Sequence, residues 1–272
     1  MSRPQGRIAA AFAEARAEGR AALVIYTTAG HPQVDRGLET LIALADAGSD
    51  VLELGVPFSD PLADGPVIQK SSFDAIAGGV DLAWTLDLLR RFRQTHQTPV
   101  VLFSYLNPIL DFGVDRFFTE AAAAGADGVL LTDLPLGADP ELEARFERSP
   151  LDLVRLIAPT THRDRARRIA EASQGFAYYI SRTGVTGASA ELSGTLLSEL
   201  AALRATTSTP IAVGFGISRP EQASAVGAAA EGVVVGSALV DALTREGIEG
   251  GARLVSDLRS ALGTGAGASA AG

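Results

Sequence analysis

The chain has 272 residues, of which 47% are hydrophobic and 20% charged, and its formal net charge is −9. This length suits one large α/β domain or two small ones, with enough apolar residues for a substantial core. The negative charge argues against a nucleic-acid-binding surface, because phosphate backbones require clustered basic residues. Cysteine is absent, which excludes disulfides and thiol chemistry and fits a cytoplasmic protein. The N-terminal segment is too evenly charged for a signal peptide, and no apolar run approaches the ~20 residues of a membrane helix.

Two reactive residue types are scarce. Lys70 is the single lysine, and it lies just inside a helix, which makes it a poor candidate for Schiff-base chemistry. The three histidines, His31, His96 and His162, are far apart along the chain, whereas a catalytic metal usually needs two or three converging histidines. We expect each histidine to be solvated at the surface. Any carbon–carbon or phosphosugar chemistry would therefore have to use carboxylates.

Apolar, β-branched runs alternate with helix-period segments along the chain. A leading helix is predicted near Gly6–Glu18. Strands are predicted near Leu23–Thr27, Val51–Gly55, Val100–Tyr105, Gly128–Asp133, Leu153–Ala158, Phe176–Arg182, Ile211–Gly216 and Gly232–Ser237. The predicted helices between and after them include Val34–Ala47, Leu82–Thr95, Val114–Ala124, Arg163–Ser173, Ser193–Arg204, Pro220–Val226 and Ala252–Leu262. Eight strand–helix units in about 250 residues predict a (β/α)8 TIM barrel with an extra N-terminal helix, and a doubly wound sheet is the alternative. Residues 1–262 would form this single domain, and the Gly/Ala-rich tail 263–272 is predicted to be disordered.

The second predicted strand and its loop, LELGVPFSDPLADGP, carry the most informative acids. In strand periodicity Glu53 shares a face with Val51 and Gly55, so it points into the barrel if the flanking leucines pack on helices. A buried carboxylate is costly unless it is paired or used, so Glu53 is either a catalytic acid/base or part of a structural salt bridge. Asp64 precedes a helix start, where it could be a second catalytic acid or an N-cap. Asp60 could shape a turn or face a partner.

Glycine-rich segments follow the last three predicted strands. Glycine lets the backbone approach a ligand, and helix N-termini direct N–H groups at anions. The loops after strands seven and eight are the usual phosphate site of a barrel. We expect a phosphate cradle at Gly184, Gly216, Gly236 and Ser237, although glycines at such positions also serve tight turns.

The string LELGVPFSDPLADGP resembles the signature of the tryptophan synthase alpha subunit family, and the resemblance extends from about Gly6 to Leu262. It implies retro-aldol cleavage of indole-3-glycerol phosphate to indole and glyceraldehyde 3-phosphate. Glu53 would protonate the indole carbon that bears the side chain and help remove the proton of the adjacent hydroxyl. Asp64 would accept a hydrogen bond from the ring N–H. The indole itself would be the electron sink, so neither lysine nor metal is required.

The resemblance also implies further contacts. Thr186 matches a mobile-loop threonine that meets the aspartate, and Tyr178 and Tyr26 match active-site aromatics, although both could equally be core residues. No cofactor is expected in this chain. The family works with a beta subunit that carries pyridoxal phosphate, in an alpha2-beta2 complex. The segments matching its interface are Pro57, Asp60, Tyr105–Pro108, which includes Asn107, and Asp133–Pro135, which includes both Asp133 and Pro135.

Two other functions and two further residues complete the expectations from the sequence. A catalytically quiet barrel retained as an activating subunit and a phosphosugar isomerase or epimerase are the competing functions. Arg155 is predicted to close the far end of the barrel by an ion pair. His31 receives no role.

Overall fold

A computed structural model describes residues 6–181, 194–214 and 216–263. Eight parallel strands form a closed barrel in the order β1 to β8, and β8 pairs with β1. The strands are β1 Ala22–Thr28, β2 Val51–Gly55, β3 Val100–Ser104, β4 Gly128–Leu131, β5 Asp152–Ile157, β6 Ala177–Ile180, β7 Ile211–Gly214 and β8 Gly232–Val235. The predicted barrel is confirmed, and the doubly wound alternative is wrong.

The helices surround this barrel. They are α1 Arg7–Ala17, α2 Gly37–Asp46, α3 Pro66–Ala77, α4 Leu82–Phe92, α5 Leu106–Phe112, α6 Val114–Ala124, α7 Pro140–Arg148, α8 Arg163–Ala172, α9 Gly194–Arg204, α10 Pro220–Ala229 and α11 Ser237–Gly263. A 3-10 turn, Val34–Arg36, precedes α2. Among the described residues no helix is both long and apolar enough to span a membrane.

Two apolar layers, one on each face of the strands, explain why the strand sequences are almost continuously hydrophobic. Both faces of a barrel strand are buried, one inside the barrel and one beneath the helices. Val24 and Val51 belong to the inner layer, whereas Leu52 and Leu54 pack in the outer layer. The predicted extra helix α1 lies across the N-terminal end of the strands, where Phe12 stacks on Phe176 at 5.4 Å between ring centroids.

The last part of the chain differs from the prediction. Ser237 was expected to end strand eight, but it is the first residue of α11, which runs to Gly263 rather than beginning near Ala252. The additional turns form because Leu239, Val240 and Leu243 bury an apolar face. At Gly247 the backbone breaks to φ 71°, which separates the two helical parts. The predicted disordered tail lies outside the described residues from position 264 onwards.

Arg155 forms the predicted ion pair but in another place. Its guanidinium lies 3.1 Å from Glu143 and 2.9 Å from Glu147, both on α7. The expectation that it closes the far end of the barrel is wrong, because alternation along β5 turns Arg155 outwards against α7 while Val154 fills the interior.

Candidate active site

Glu53 lies inside the barrel, as its strand periodicity predicts. It pairs in register with Tyr26 of β1, and Val51, two residues earlier on the same face, belongs to the inner apolar layer. Glu53 is 1% exposed, and its Oε1 has no hydrogen-bond partner among the described residues. Glu53 takes part in no salt bridge within the described part of the chain. The structural salt-bridge interpretation therefore has no counterpart in the barrel interior.

Burial sets the protonation of Glu53. Desolvation disfavours the charged carboxylate and raises its pKa to about 8, with no compensating donor. At neutral pH the group is mostly the neutral acid. A carboxylic acid held in that form near pH 7 is suited to donate a proton to a substrate atom.

Asp64 lies in the loop between β2 and α3, at the carboxyl end of the barrel. Its Oδ2 accepts a hydrogen bond of 3.1 Å from the hydroxyl of Tyr105, the residue after β3. The N-cap of α3 is Gly65, which makes no side-chain capping bond, so the N-cap interpretation of Asp64 is wrong. Burial raises the pKa of Asp64 to about 6, and the bond from Tyr105 opposes that rise.

Tyr26 and Tyr178 enclose the space beside these acids. Both hydroxyls have a raised pKa, chiefly through burial and additionally through the nearby charges of Glu53 and Asp64. Each hydroxyl lies where a glycine on the neighbouring strand leaves room: a Cβ on Gly55 would collide with Tyr26, and one on Gly214 with Tyr178. Tyr178 is only half-buried, so its ring faces an accessible part of the interior.

Two of the predicted phosphate segments lie side by side. Gly216 follows β7 in a left-handed conformation, φ 76°, and Gly236 follows the adjacent β8. Gly236 accepts hydrogen bonds from Leu239 and Val240, so it caps α11 and Ser237 stands in the first helical turn. N–H groups of a first turn lack intrahelical acceptors and can bind an anion. Gly184 and Thr186 lie outside the described residues.

The segments predicted to face a partner follow β2, β3 and β4. Asp60, Asn107, Asp133 and Pro135 are exposed, whereas Pro57 is buried and offers no surface. The carboxylate of Asp133 accepts a hydrogen bond of 2.7 Å from the backbone N–H of Leu106, which joins two of these loops.

Sequence reasoning missed two features of these segments beyond the strand ends. Leu62 is 83% exposed and Leu110 is 49% exposed, although both are large and apolar. Tyr105 was assigned only to a partner-facing segment, but its side chain contacts Asp64. Its position directly after a barrel strand was the available signal, because strand ends of a barrel surround one site.

The histidines and the lysine do not contribute a second reactive centre. In the described ranges no group of three or more His, Cys, Asp or Glu side chains could hold a metal ion. Lys70 pairs with Asp74 on the surface of α3. His31 contradicts the expected surface location: it is buried, 3.1 Å from the carbonyl oxygen of Val240, and burial lowers its pKa.

The fold and the site together define a class of protein. This is a TIM-barrel enzyme whose strand ends present a buried acid with a raised pKa, a second, partly exposed acid and the N-terminus of a helix, whose first N–H groups lack intrahelical acceptors. The family model of the tryptophan synthase alpha chain matches residues 12–262.

Individual relatives agree with that match. The tryptophan synthase alpha chain of Geobacter sulfurreducens is 48% identical over 261 residues, covering 94% of this chain and 99% of its own. The alpha chain of Desulfatibacillum aliphaticivorans is 46% identical over 238 residues, covering 88% and 89%. Among solved structures, Mycobacterium tuberculosis tryptophan synthase has a TM-score of 0.86 at 36% identity, covering 94% of this chain and 98% of that one. Legionella pneumophila strain Paris tryptophan synthase subunit alpha has a TM-score of 0.86 at 35% identity, covering 94% and 98%.

The chain belongs to the tryptophan synthase alpha chain family. It is a carbon–carbon lyase of tryptophan biosynthesis, and the resemblance of its signature loop is confirmed. Members of this family carry no cofactor of their own, because the pyridoxal phosphate belongs to the beta subunit.

Proposed function

We propose that Glu53 and Asp64 together carry out the retro-aldol cleavage of indole-3-glycerol phosphate to indole and glyceraldehyde 3-phosphate. The observation that supports this assignment is the buried carboxyl of Glu53, whose Oε1 has no hydrogen-bond partner among the described residues and which, like Asp64, acts electrostatically on Tyr178. An unpaired buried acid is destabilising, and such groups concentrate where catalysis needs them.

Glu53 begins the reaction as an acid. It donates its proton to the indole carbon that bears the glycerol phosphate chain, which converts the ring to a cationic tautomer. The resulting Glu53 carboxylate then takes the proton of the adjacent hydroxyl. The bond between the ring and the side-chain carbon that carries this hydroxyl then breaks. The electrons of that bond return to the ring, and the products are indole and an aldehyde. One proton leaves Glu53 and one returns, so the acid is regenerated.

Asp64 acts on the opposite side of the ring. As a carboxylate it accepts a hydrogen bond from the ring N–H and stabilises the positive charge that develops on the tautomer. Its pKa of about 6 leaves it mainly ionised at neutral pH, while Glu53, with a pKa of about 8, stays mainly protonated. Two carboxyls with separated pKa values can thus hold the two different roles.

The remaining contacts place the substrate. Backbone N–H groups at Gly216, Gly236 and Ser237, with Gly184, would bind the phosphate, and the rings of Tyr26 and Tyr178 would line the indole pocket. Two adjacent strand ends and the first turn of α11 support the phosphate assignment. Thr186 would approach Asp64 when substrate is bound.

The chain acts as the alpha subunit with a tryptophan synthase beta subunit, which holds the pyridoxal phosphate. The expected assembly is an alpha2-beta2 complex, with Asp60, Asn107, Asp133 and Pro135 at the interface. We also place the protein in the cytoplasm, which the lack of cysteine favours, and we assign residues 1–262 to one domain.

An indole-release assay tests this proposal. The chain, alone and with its beta subunit, is incubated with indole-3-glycerol phosphate. Glu53→Gln should lower kcat by ~10² or more, because the substituted amide cannot donate a proton. Glu14→Gln, at an exposed helix position, is the matched control. A wild-type rate for Glu53→Gln removes Glu53 from the mechanism. Absence of indole formation by the wild-type chain and its complex would instead support the quiet activating subunit.

A further inference from the structure

Tyr105 is the point at which the loop carrying Asp64 is attached to the barrel. The loop residue Phe58 packs against its ring with centroids 5.1 Å apart. The backbone N–H of Ala63 donates to the phenol oxygen at 2.9 Å, and the phenol donates to Oδ2 of Asp64 at 3.1 Å. One side chain therefore contacts the loop at its beginning and at its reactive residue.

The attachment point is itself well anchored. Tyr105 directly follows β3 and is 6% exposed. Its carbonyl oxygen accepts a hydrogen bond of 2.9 Å from the hydroxyl of Ser104, and the next backbone N–H, that of Leu106, donates to Asp133. A residue fixed on both sides by a strand and by hydrogen bonds can impose its geometry on the loop.

The number of protons at the phenol decides which group donates in each of its hydrogen bonds. A tyrosine hydroxyl has one proton to donate. Because the N–H of Ala63 must donate, the phenol oxygen is the acceptor there, and its own proton is directed at the carboxylate. Burial raises the pKa of Tyr105, so it remains a protonated donor at neutral pH. Within the described residues, Oδ2 is the carboxylate oxygen of Asp64 that accepts a side-chain hydrogen bond. The other oxygen, Oδ1, is left to accept a hydrogen bond from a ligand N–H.

We propose that Tyr105 is a positioning residue, which orients the Asp64 carboxylate towards the indole N–H and holds it in the charged form. This inference rests on the role proposed above for Asp64. Loss of the hydroxyl would leave the carboxylate as buried but without its donor. A hydrogen bond to the charged form of an acid favours ionisation, so its removal must make Asp64 harder to ionise.

Other titratable groups around Asp64 do not substitute for this bond. Tyr26 on β1, Glu53 on β2 and Tyr178 on β6 interact with Asp64 or with one another through space. All three are mainly neutral at pH 7, since the tyrosine pKa values are raised and that of Glu53 is about 8. Tyr105 is the group that both opposes the rise in the pKa of Asp64 and bonds to it.

The test is the pH dependence of kcat/KM for Tyr105→Phe, measured on the full chain alone and in its complex with the beta subunit. We expect the acidic limb to move up by about one pH unit, with roughly a fivefold loss of kcat/KM near pH 6 that approaches tenfold at lower pH, and an unchanged basic limb. Tyr179→Phe, which removes a hydroxyl bonded to Glu199 outside the barrel, is the matched control and should keep the wild-type profile. The substrate phosphate also titrates near pH 6, but identically for every variant.

A second substitution keeps the shape of the side chain. Replacing Tyr105 by 3-fluorotyrosine makes the phenol a stronger donor, and the acidic limb should then move to lower pH. An acidic limb that stays in place in both variants overturns the role of Tyr105, provided that Asp64→Asn is inactive. If Asp64→Asn retains the wild-type rate, the failure belongs to the proposed role of Asp64. The 3-fluorotyrosine variant decides the question if Tyr105→Phe does not fold.

Discussion

Glu53 and Asp64 illustrate how different surroundings can prepare two identical functional groups for different tasks. Desolvation raises the pKa of both carboxyls, to about 8 for Glu53 and to about 6 for Asp64. The smaller rise at Asp64 follows from its partial exposure and from the phenol that donates to it. Near pH 7 the first group is therefore chiefly an acid and the second chiefly an anion.

The pH profile of the wild-type chain should reflect this separation. We expect kcat/KM for indole formation to be bell-shaped, falling below a pKa of about 6 as Asp64 becomes protonated and above about 8 as Glu53 loses its proton. Measuring initial rates from pH 5 to 9 would test this. An activity that keeps rising beyond pH 9 would mean that Glu53 does not act as the protonated acid.

Glu53 should also reduce the stability of the fold as pH rises. Its folded-state pKa of about 8 lies above the ordinary 4.5, so unfolding releases a proton between those values and stability falls as pH increases through this window. Glu53→Gln removes that dependence, and its stability relative to wild type should grow by up to about 1.4 kcal/mol per pH unit.

Denaturant unfolding at several pH values between 5 and 8 measures this difference. Glu14→Gln, on the exposed face of α1, provides the comparison and should leave the slope unchanged. Parallel stability curves for wild type and Glu53→Gln would contradict the strongly raised pKa of Glu53 in the folded state.

At the scale of elements, the decisive arrangement is the direct passage from β8 into α11. Gly236 is the only residue between the strand end at Val235 and the first helical residue, Ser237. The positive end of the helix dipole therefore lies at the barrel rim, next to Gly216 beyond β7. The proposed phosphate site depends on this junction, because neither the strand nor the helix alone would bring these N–H groups to the rim.

An aspartate at this helix terminus should act mainly on substrate binding. A Cβ on Gly236 would come no closer than 3.5 Å to Tyr26, which is an ordinary contact. Gly236→Asp should raise KM at least tenfold, because its carboxylate would repel the substrate phosphate at close range. Gly236→Asn, of equal size but uncharged, is the control and should raise KM much less. Equal KM values for the two variants would refute a phosphate at this terminus.

At the scale of the whole molecule, the two ends of the barrel have different tasks. Helix α1 closes the N-terminal end with apolar side chains, among them Ile8 and Phe12. The opposite end carries the acids, the N-terminus of α11 proposed to bind phosphate, and the exposed Leu62 and Leu110. An apolar side chain that is 83% exposed, as Leu62 is, suits burial against another protein.

Leu62 should therefore stabilise the complex with the beta subunit. Leu62→Ser is expected to weaken that association about tenfold, the effect of losing a buried leucine contact, while the melting temperature of the isolated chain stays the same. Leu197→Ser is the control, because Leu197 is 43% exposed on α9, which follows β6 and not the strands β2 to β4 that carry the predicted interface. Equal dissociation constants for both variants and wild type would show that Leu62 does not contribute.

The alternation of apolar strands and helical segments was sufficient to predict the barrel, because burial on both strand faces leaves a direct record in the sequence. The same periodicity placed Glu53 on the inner face. Sequence could not predict the full extent of α11, since a helix that follows a strand after one glycine has no loop to mark its start. It also missed α5, a short helix of seven residues with little periodicity.

The sequence by itself determined the barrel, the inward glutamate and the membership of the family, since each depends on local order along the chain. Only the tertiary structure decided which groups surround the acids: that Glu53 is without a partner in the described residues, that Asp64 is bonded to Tyr105, and that His31 is buried. These relations join residues 41 or more positions apart. Closure of the barrel brings such residues together, and local pattern carries no information about contacts across it.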